Sequence, residues 1–354
     1  MNSKSALLDE IRGVVGDENL SLQPSDKVLY ATDMWPKGQI WRLQGQPTHF
    51  LPDAIVRPNR VSEIAKVIRA CAKHGIPLIP YGGGSGVCGG TLPHHGGVML
   101  DLKRMSEIFE IDTARHEVRA EAGVIGEVLE RALNAAGFTL GHFPSSIYCS
   151  TVGGWVATRS AGQYSTRYGK IEDMVTGLEF VDGLGNIYDT STWDDVEGRL
   201  RLTPLIVGSE GILGVVTSAT MKIHPLPQSK KFRGLMLPGV AEGLTLIQEI
   251  MQTGPSPLVL RMYDPFDTFM CGLANRGKDS TSPSGLKKWF QQSMDQLPKG
   301  AHNLMHDAER AVYGFGLSNA SALNRMIRLT MSSCLVIVGY DGDEELVNGT
   351  LEQM

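Results

Sequence analysis

The densest chemistry in this sequence is carried by backbone rather than by side chains. Residues 81–90 read Tyr-Gly-Gly-Gly-Ser-Gly-Val-Cys-Gly-Gly. Successive glycines adopt left-handed backbone angles freely and let consecutive N–H groups point into one concavity suited to anionic oxygens. Lacking Cβ atoms, such a run also lets a phosphate approach the main chain closely. Two further stretches mix glycine with hydroxyl residues: Ser150–Gly154, inside a loop from Pro144 to Gly162, and Gly208–Gly214, where Glu210 is the only anion. Amides and hydroxyls together can hold a pyrophosphate and the polar edge of a flat heteroaromatic ring.

Gly84-x-Gly86-x-x-Gly89 matches the dinucleotide pattern, but that pattern needs a helix next, whose N-terminus takes the pyrophosphate. Here Thr91-Leu92-Pro93-His94-His95-Gly96-Gly97 follows, which cannot be a helix interior. The Rossmann reading fails, and with no GxxxxGK[ST] stretch the P-loop reading fails too. A glycine run alone is more often a mere tight loop than a phosphate site; it is the three such stretches, each expected at a strand end, that point to a cofactor.

The elements that must position these loops follow from periodicity and punctuation. Leu7, Leu8, Ile11, Val14 and Val15 predict an N-terminal amphipathic helix, and Trp35–Pro52 a loop punctuated by Pro and Gly. Strand Ala54–Arg57, helix Val61–His74 stopped by Gly75, and strand Ile76–Pro80 make a β-α-β unit feeding the first glycine run. Strands are predicted at Val98–Leu102, Ile108–Asp112, Glu117–Ala122, Val175–Val181, Asn186–Asp189, Leu205–Val207 and Val215–Ile223, and a helix at Gly126–Ala136. After Pro225-Leu226-Pro227 the pattern restarts: strand Phe232–Leu237, helix Val240–Gln252, strand Leu258–Met262, a polar Gly272–Ser284 segment, helical stretches, strand Cys334–Tyr340 and a helical start at Asp341. That second region lacks a strand to cover its last helix, so an incomplete domain is expected there.

Composition narrows the class. The chain has 354 residues, 42% hydrophobic and 20% charged, which excludes disorder and suits two domains. Lys and Arg number 33 against 38 Asp and Glu, and a nucleic-acid binder would show the opposite balance. Cys71, Cys88, Cys149, Cys271 and Cys334 are scattered with no CxxC spacing, which argues against a disulfide framework and structural zinc and for a reducing, cytoplasmic setting. No apolar run approaches the ~18 residues of a membrane-spanning helix, and Asp9, Glu10, Asp17 and Glu18 are wrong for a signal peptide.

Four stretches occurring in order carry a resemblance. They are Pro80-Tyr81-Gly82-Gly83-Gly84-Ser85-Gly86, the run Ser150–Gly162 (STVGGWVATRSAG), Tyr168–Asp173 (YGKIED) and Gly208–Thr217 (GSEGILGVVT). Together they resemble the FAD-binding (PCMH-type) domain of the vanillyl-alcohol-oxidase-like flavoproteins, over roughly residues 50–265. The second and third stretches look most like the alkyldihydroxyacetonephosphate synthase group. The first and last are shared more widely, with D-lactate dehydrogenases and glycolate oxidase subunits.

The resemblance implies an α+β chain: an N-terminal helical lead-in (1–46), a two-subdomain FAD-binding domain (47–228) and a partial, ferredoxin-like substrate or cap domain (229–354). It implies FAD held by Pro80, Tyr81, Gly82, Gly83, Gly84, Ser85 and Gly86 at the pyrophosphate. Ser145, Ser146, Ser150 and Thr151 would pass under the diphosphate and flavin. Gly154, Thr158, Arg159, Ser160 and Ala161 would serve the ribityl chain or ring edge, and Glu210, Gly211, Gly214, Val215 and Val216 the adenosine side and flavin. Some members link flavin through a histidine in the glycine loop; Ser85 stands in that stretch here, so noncovalent FAD is expected. Arg261 matches a family arginine near substrate, able to pair with a phosphate or carboxylate.

The family's reactive tyrosine, histidine cluster and flavin-covering segment would fall beyond residue 354, so catalytic residues stay unassigned. The expected function is acyl-to-alkyl exchange on a dihydroxyacetone phosphate. The alternatives are an FAD-linked D-2-hydroxyacid dehydrogenase and a non-catalytic flavoprotein remnant. Expected partners are a small-molecule or lipid-phosphate substrate, with a homodimer allowed and nucleic acid not expected.

Overall fold

The computed structural model of the protein describes residues 3–46, 50–268 and 333–352. The chain divides into two compact units, residues 1–227 and 228–354.

In the first unit, α1 (Ser3–Val15) buries Leu7, Ile11 and Val15 along one face, as its spacing predicts. Strand β1 (Leu20–Ser21) precedes α2 (Pro24–Tyr30) and α3 (Pro36–Leu43), each carrying proline in its first turn. Proline needs no N–H partner there, and its fixed φ suits a helix start. The loop expected over Trp35–Pro52 is corrected accordingly: Pro36 opens a helix.

Strand β2 (Ala54–Val56), α4 (Val61–His74), β3 (Leu78–Tyr81) and β4 (Val98–Asp101) follow. Helix α4 buries Ile64, Ala65, Val67, Ile68, Ala70 and Cys71 and stops at Gly75, whose φ is 64°. The sheet order is β1-β2-β4-β3, with β2, β4 and β3 parallel and β1 antiparallel. Central β4 is buried throughout, as a strand covered on both faces must be. The parallel sense brings the carboxyl ends of β3 and β4 to one edge. There Tyr81 leads into the glycine run and Asp101 into Lys103.

The second sheet of this unit is antiparallel. It contains β5 (Ile108–Asp112), β6 (Glu117–Glu121), β8 (Val175–Asp182), β9 (Ile187–Asp189) and β10 (Gly214–Lys222). Their order is β5-β6-β10-β8-β9. Between β6 and β8 lie α5 (Gly126–Ala135), β7 (Phe138–Thr139), which pairs with β11 (His224–Pro225), and α6 (Val152–Thr158). Val118, Ala120, Val181, Ala219 and Met221 are fully buried, each large apolar side chain contributing about 1.5–3 kcal/mol.

Two expectations are corrected here. Helix α6 lies where the sequence predicts loop: Thr151 Oγ1 accepts from Gly154 N at 3.3 Å as its N-cap, and buried Trp155 anchors it. The strand expected at Leu205–Val207 is instead a helical turn, Thr203–Ile206, with Pro204 in the first turn. Asp194 organises it by accepting from Leu202 N (2.6 Å) and Thr203 N (3.1 Å).

The second unit holds β12 (Ser229–Leu237), α7 (Val240–Thr253), β13 (Val259–Tyr263), β14 (Cys334–Gly342) and α8 (Glu344–Glu352). The described strands run β12-β14-β13, with β14 antiparallel to both neighbours, a split β-α-β of the ferredoxin-like kind. Val338 and Tyr340 pack with Ile250 of α7 and Val347 of α8 on one face. Arg261 pairs with Ile337 and so points to the opposite face. The predicted Gly272–Ser284 segment and the helical stretches after it lie outside the described residues. The architecture is α+β.

Candidate functional site

The three glycine-bearing loops meet. A Cβ on Gly82 would lie 2.3 Å from Thr151 Oγ1, and one on Gly83 would lie 1.8 Å from the Cys149 carbonyl oxygen, so loops one and two are in direct contact. Gly84 takes φ 63°, and a Cβ there would lie 2.1 Å from Tyr81 Oη. Loop three closes on loop one where a Cβ on Gly211 would lie 3.2 Å from Pro80 Cγ. It closes on loop two through Gly208 N to Val156 O and Glu210 N to Ala157 O, both 2.9 Å.

The backbone is strained at that last crossing. Arg159 and Glu210, neither of them glycine, hold φ of 50° and 51°. Such left-handed residues cost free energy and persist where their surroundings dictate them, and they concentrate at functional sites. Arg159 Nε donates to Val207 O at 3.0 Å, so its guanidinium fastens loop two to loop three.

Side-chain roles divide by geometry. Ser150 is buried; its Oγ donates to Ser146 O and accepts from Trp155 Nε1, both at 2.8 Å, so it braces the loop from within. Thr158 Oγ1 donates to Gly154 O at 2.9 Å. Ser145, Ala161 and Glu210 are exposed at the rim, while Ser85 and Ser160 are half-buried. Gly214, Val215 and Val216 begin β10, and both valine side chains are buried in the core rather than turned to the loops. Arg261 belongs to the second unit, exposed, with Nη1 3.3 Å from Tyr263 Oη.

Beneath the first loop lies a cluster of which motif reasoning found only Tyr81. Lys103 Nζ donates to Gly82 O (3.1 Å) and Asp101 Oδ1 (2.8 Å) and sits 4.9 Å from the Tyr81 ring centre and 5.1 Å from that of Tyr30. Tyr30 Oη donates to Asp101 Oδ2 at 2.5 Å. Burial, and then the Asp101 carboxylate, push the Tyr30 phenol upward; the same causes, with Asp33, raise Tyr81. Met34 N donates to Gly86 O at 3.0 Å, and Trp35 packs against Gly89. The signal available in the sequence was position: Tyr81 and Asp101–Lys103 follow the carboxyl ends of parallel strands, where such sheets bind ligands.

His142 is the other residue missed. It is 2% exposed, with Nε2 3.1 Å from Ser160 Oγ, and burial lowers its pKa to about 4. The imidazole is therefore neutral at physiological pH.

The loops fit a dinucleotide such as FAD. Among the described residues no acceptor receives the N–H of Gly82, Gly83, Gly84, Ser85 or Gly86, leaving five successive donors for phosphate oxygens. Val87, Tyr148 and Ile212, one from each loop, are exposed apolar side chains at 60%, 74% and 86%. Among the described residues no His, Cys, Asp and Glu cluster could hold a metal, and no helix is long and apolar enough to cross a membrane. A cavity of about 220 Å³ lined by Leu7, Leu8, Leu22, Ile76 and Val98 lies at the amino ends of the parallel strands, away from these loops.

Comparison with known proteins points to the same cofactor. The family described as FAD binding domain matches residues 52–191. The chain is 32% identical over 352 residues to the alkyldihydroxyacetonephosphate synthase of Trypanosoma brucei brucei, spanning 98% of this chain and 52% of that protein. It is 33% identical over 258 residues to glycolate oxidase subunit GlcD of Bacillus subtilis, spanning 72% and 53%. A solved alkyldihydroxyacetonephosphate synthase superposes with a TM-score of 0.76 at 25% identity, covering 99% of this chain and 58% of that one. A p-cresol methylhydroxylase shares the fold at TM-score 0.68 and 19% identity, covering 99% and 63%. The chain spans about half the length of the curated relatives it matches.

Proposed function

On the premise that residues 52–191 belong to the FAD-binding domain family, with FAD as its cofactor, we propose that the chain holds FAD noncovalently and serves acyl-to-alkyl exchange on a dihydroxyacetone phosphate. In that reaction a fatty alcohol replaces the fatty acid of an acyl-dihydroxyacetone phosphate, without net redox change. FAD supplies the group-exchange chemistry when bound. The chain's own residues bind and orient: the amides of Gly82–Gly86 take the diphosphate, and Ser160 and the rim of loop two take the flavin side. Ser85 in place of a histidine supports the noncovalent mode.

The single observation that carries the substrate reading is the extent of similarity, which runs over 98% of the chain to a synthase and so through the second unit. The sheet face turned away from α7 and α8 supports it. Arg261 shares that face with Ile337 and Leu335, and with exposed Phe232 and Met236. One guanidinium amid apolar side chains suits an amphiphile with a phosphate head and a long chain. Residues 229–354 are accordingly proposed as part of the substrate domain.

A second reading has its own support. The likeness to glycolate oxidase subunit GlcD favours an FAD-linked D-2-hydroxyacid dehydrogenase, in which Arg261 grips a carboxylate. The discriminating experiment supplies the FAD-loaded chain with acyl-dihydroxyacetone phosphate and radiolabelled fatty alcohol, and separately with D-lactate or glycolate. Labelled alkyl product supports exchange; bleaching by the hydroxyacid supports the dehydrogenase. A chain that takes up FAD and does neither supports a non-catalytic flavoprotein. A cytoplasmic setting is also proposed, supported by Cys71, Cys88, Cys149 and Cys334 being free thiols.

A further inference from the structure

His142 lies on the segment between β7 and α6, edge-on to Trp155 with ring centres 4.7 Å apart. Its two ring nitrogens face different surroundings. Nε2 is 3.1 Å from Ser160 Oγ, whereas Nδ1 is buried with no hydrogen-bond partner among the described residues. A neutral imidazole carries one N–H and one lone pair, and the hydrogen bond made by one nitrogen decides where the proton sits. If Nε2 accepted from Ser160, Nδ1 would be a buried N–H with no acceptor, the rarest orphan in folded proteins. With the proton on Nε2, only a bare lone pair is left without a partner.

Ser160 has capacity to spare. Its N–H donates to Trp155 O at 3.0 Å and its carbonyl accepts from Ile171 N at 3.2 Å, which fixes its backbone. Its Oγ has His142 as its only partner among the described residues. We propose that His142 is a positioning residue: its Nε2–H donates to Ser160 Oγ, so that the Ser160 hydroxyl proton is committed to donating to an acceptor atom of the bound FAD. Trp155 extends the arrangement, since its indole N–H holds Ser150 Oγ at 2.8 Å in the same loop. The hydroxyl is thus a donor fixed from behind rather than a rotor free to accept or donate. This inference rests on the reading of the loops as an FAD cradle.

The test has two independent arms. The first is long-range 15N–1H NMR of the full chain labelled at histidine, with His142→Gln identifying the signal. The expected result at neutral pH is a protonated Nε2 and a bare Nδ1; a protonated Nδ1 or a charged ring overturns the proposal. The second is FAD titration by flavin fluorescence. Ser160→Ala is expected to weaken FAD roughly tenfold, the ordinary worth of one good hydrogen bond. His142→Phe, which fills the space without donating, should match it. His142→Gln, whose amide can replace the Nε2–H donor, should stay within about threefold of the parent. Because His142→Phe can fail by misfolding, Ser160→Ala decides: unchanged affinity there overturns the proposal. A parent chain that takes up no FAD overturns the cradle itself and with it the role of Ser160. A protonated Nδ1 in a chain that does bind FAD overturns only this inference.

Discussion

The carbonyl of Cys149 occupies the place that a side chain on residue 83 would need: a Cβ on Gly83 would lie 1.8 Å from that oxygen. Two loops some 65 residues apart in sequence are thereby locked main chain against main chain. Neither partner is a flexible side-chain end, so neither can yield cheaply.

Gly83→Ala is therefore expected to destabilise the chain by about 1–3 kcal/mol and to weaken FAD at least tenfold, because the loops must separate. Gly86→Ala is the control, since nothing lies within 4 Å of the point where its Cβ would stand; its stability should change by less than about 1 kcal/mol. Thermal unfolding and flavin fluorescence titration read both.

Lys103→Met should leave the fold intact and reduce FAD affinity about threefold to tenfold. The ammonium holds Gly82 O at 3.1 Å and puts a positive charge beside the amides of the first loop. Titrations at low and high salt check the assignment, because a charge contribution of this kind is screened: the difference between parent and variant should shrink as salt rises.

Arg261→Ala is expected to raise KM for an anionic substrate about tenfold or more while FAD affinity is unchanged. The side chain is exposed and, among the described residues, its one hydrogen bond is 3.3 Å to Tyr263 Oη, so stability should move by less than about 0.5 kcal/mol. Arg261→Lys should recover only part of the loss, since lysine cannot bind bidentately. Steady-state kinetics with the substrate that proves active measures this directly.

Acid should weaken the fold through His142. The unfolded chain takes up a proton near pH 6.5, whereas burial delays uptake in the folded chain to about pH 4. Between those limits the unfolded state binds more protons, so stability falls as pH falls. At about 1.36 kcal/mol for each pH unit the loss comes to about 3 kcal/mol. The carboxyls of Glu10, Asp26, Asp53, Asp182 and Asp194, held below their ordinary values, add losses at lower pH. Urea unfolding from pH 7 to 4 should show a shallower decline in His142→Gln than in the parent.

Local signals were legible in the sequence, and tertiary ones were not. Helix α4 could be read to the residue because its apolar spacing and Gly75 stop agree, and the three loops could be found because glycine and hydroxyl residues cluster in them, although Ser150–Gly154 opens α6 and does not sit at a strand end as the sequence reading expects. Helix α6 was hidden because Gly153 and Gly154 look like loop. Its stability comes instead from the Thr151 cap and from Trp155, buried against distant residues. Lys103, Tyr30 and His142 carry no motif. Each acquires its role only when folding brings it to Gly82, Asp101 or Ser160, positions 18 or more residues away.

The hydrogen bond from Met34 N to Gly86 O, with Trp35 laid against Gly89, means that the first glycine loop is propped by residues upstream of the matched stretch 52–191. Excising that stretch by itself would remove the props under its most demanding turn. If the first loop takes the diphosphate as proposed, binding competence belongs to a longer piece of polypeptide than the homology boundary delimits, one that includes the segment carrying Met34 and Trp35.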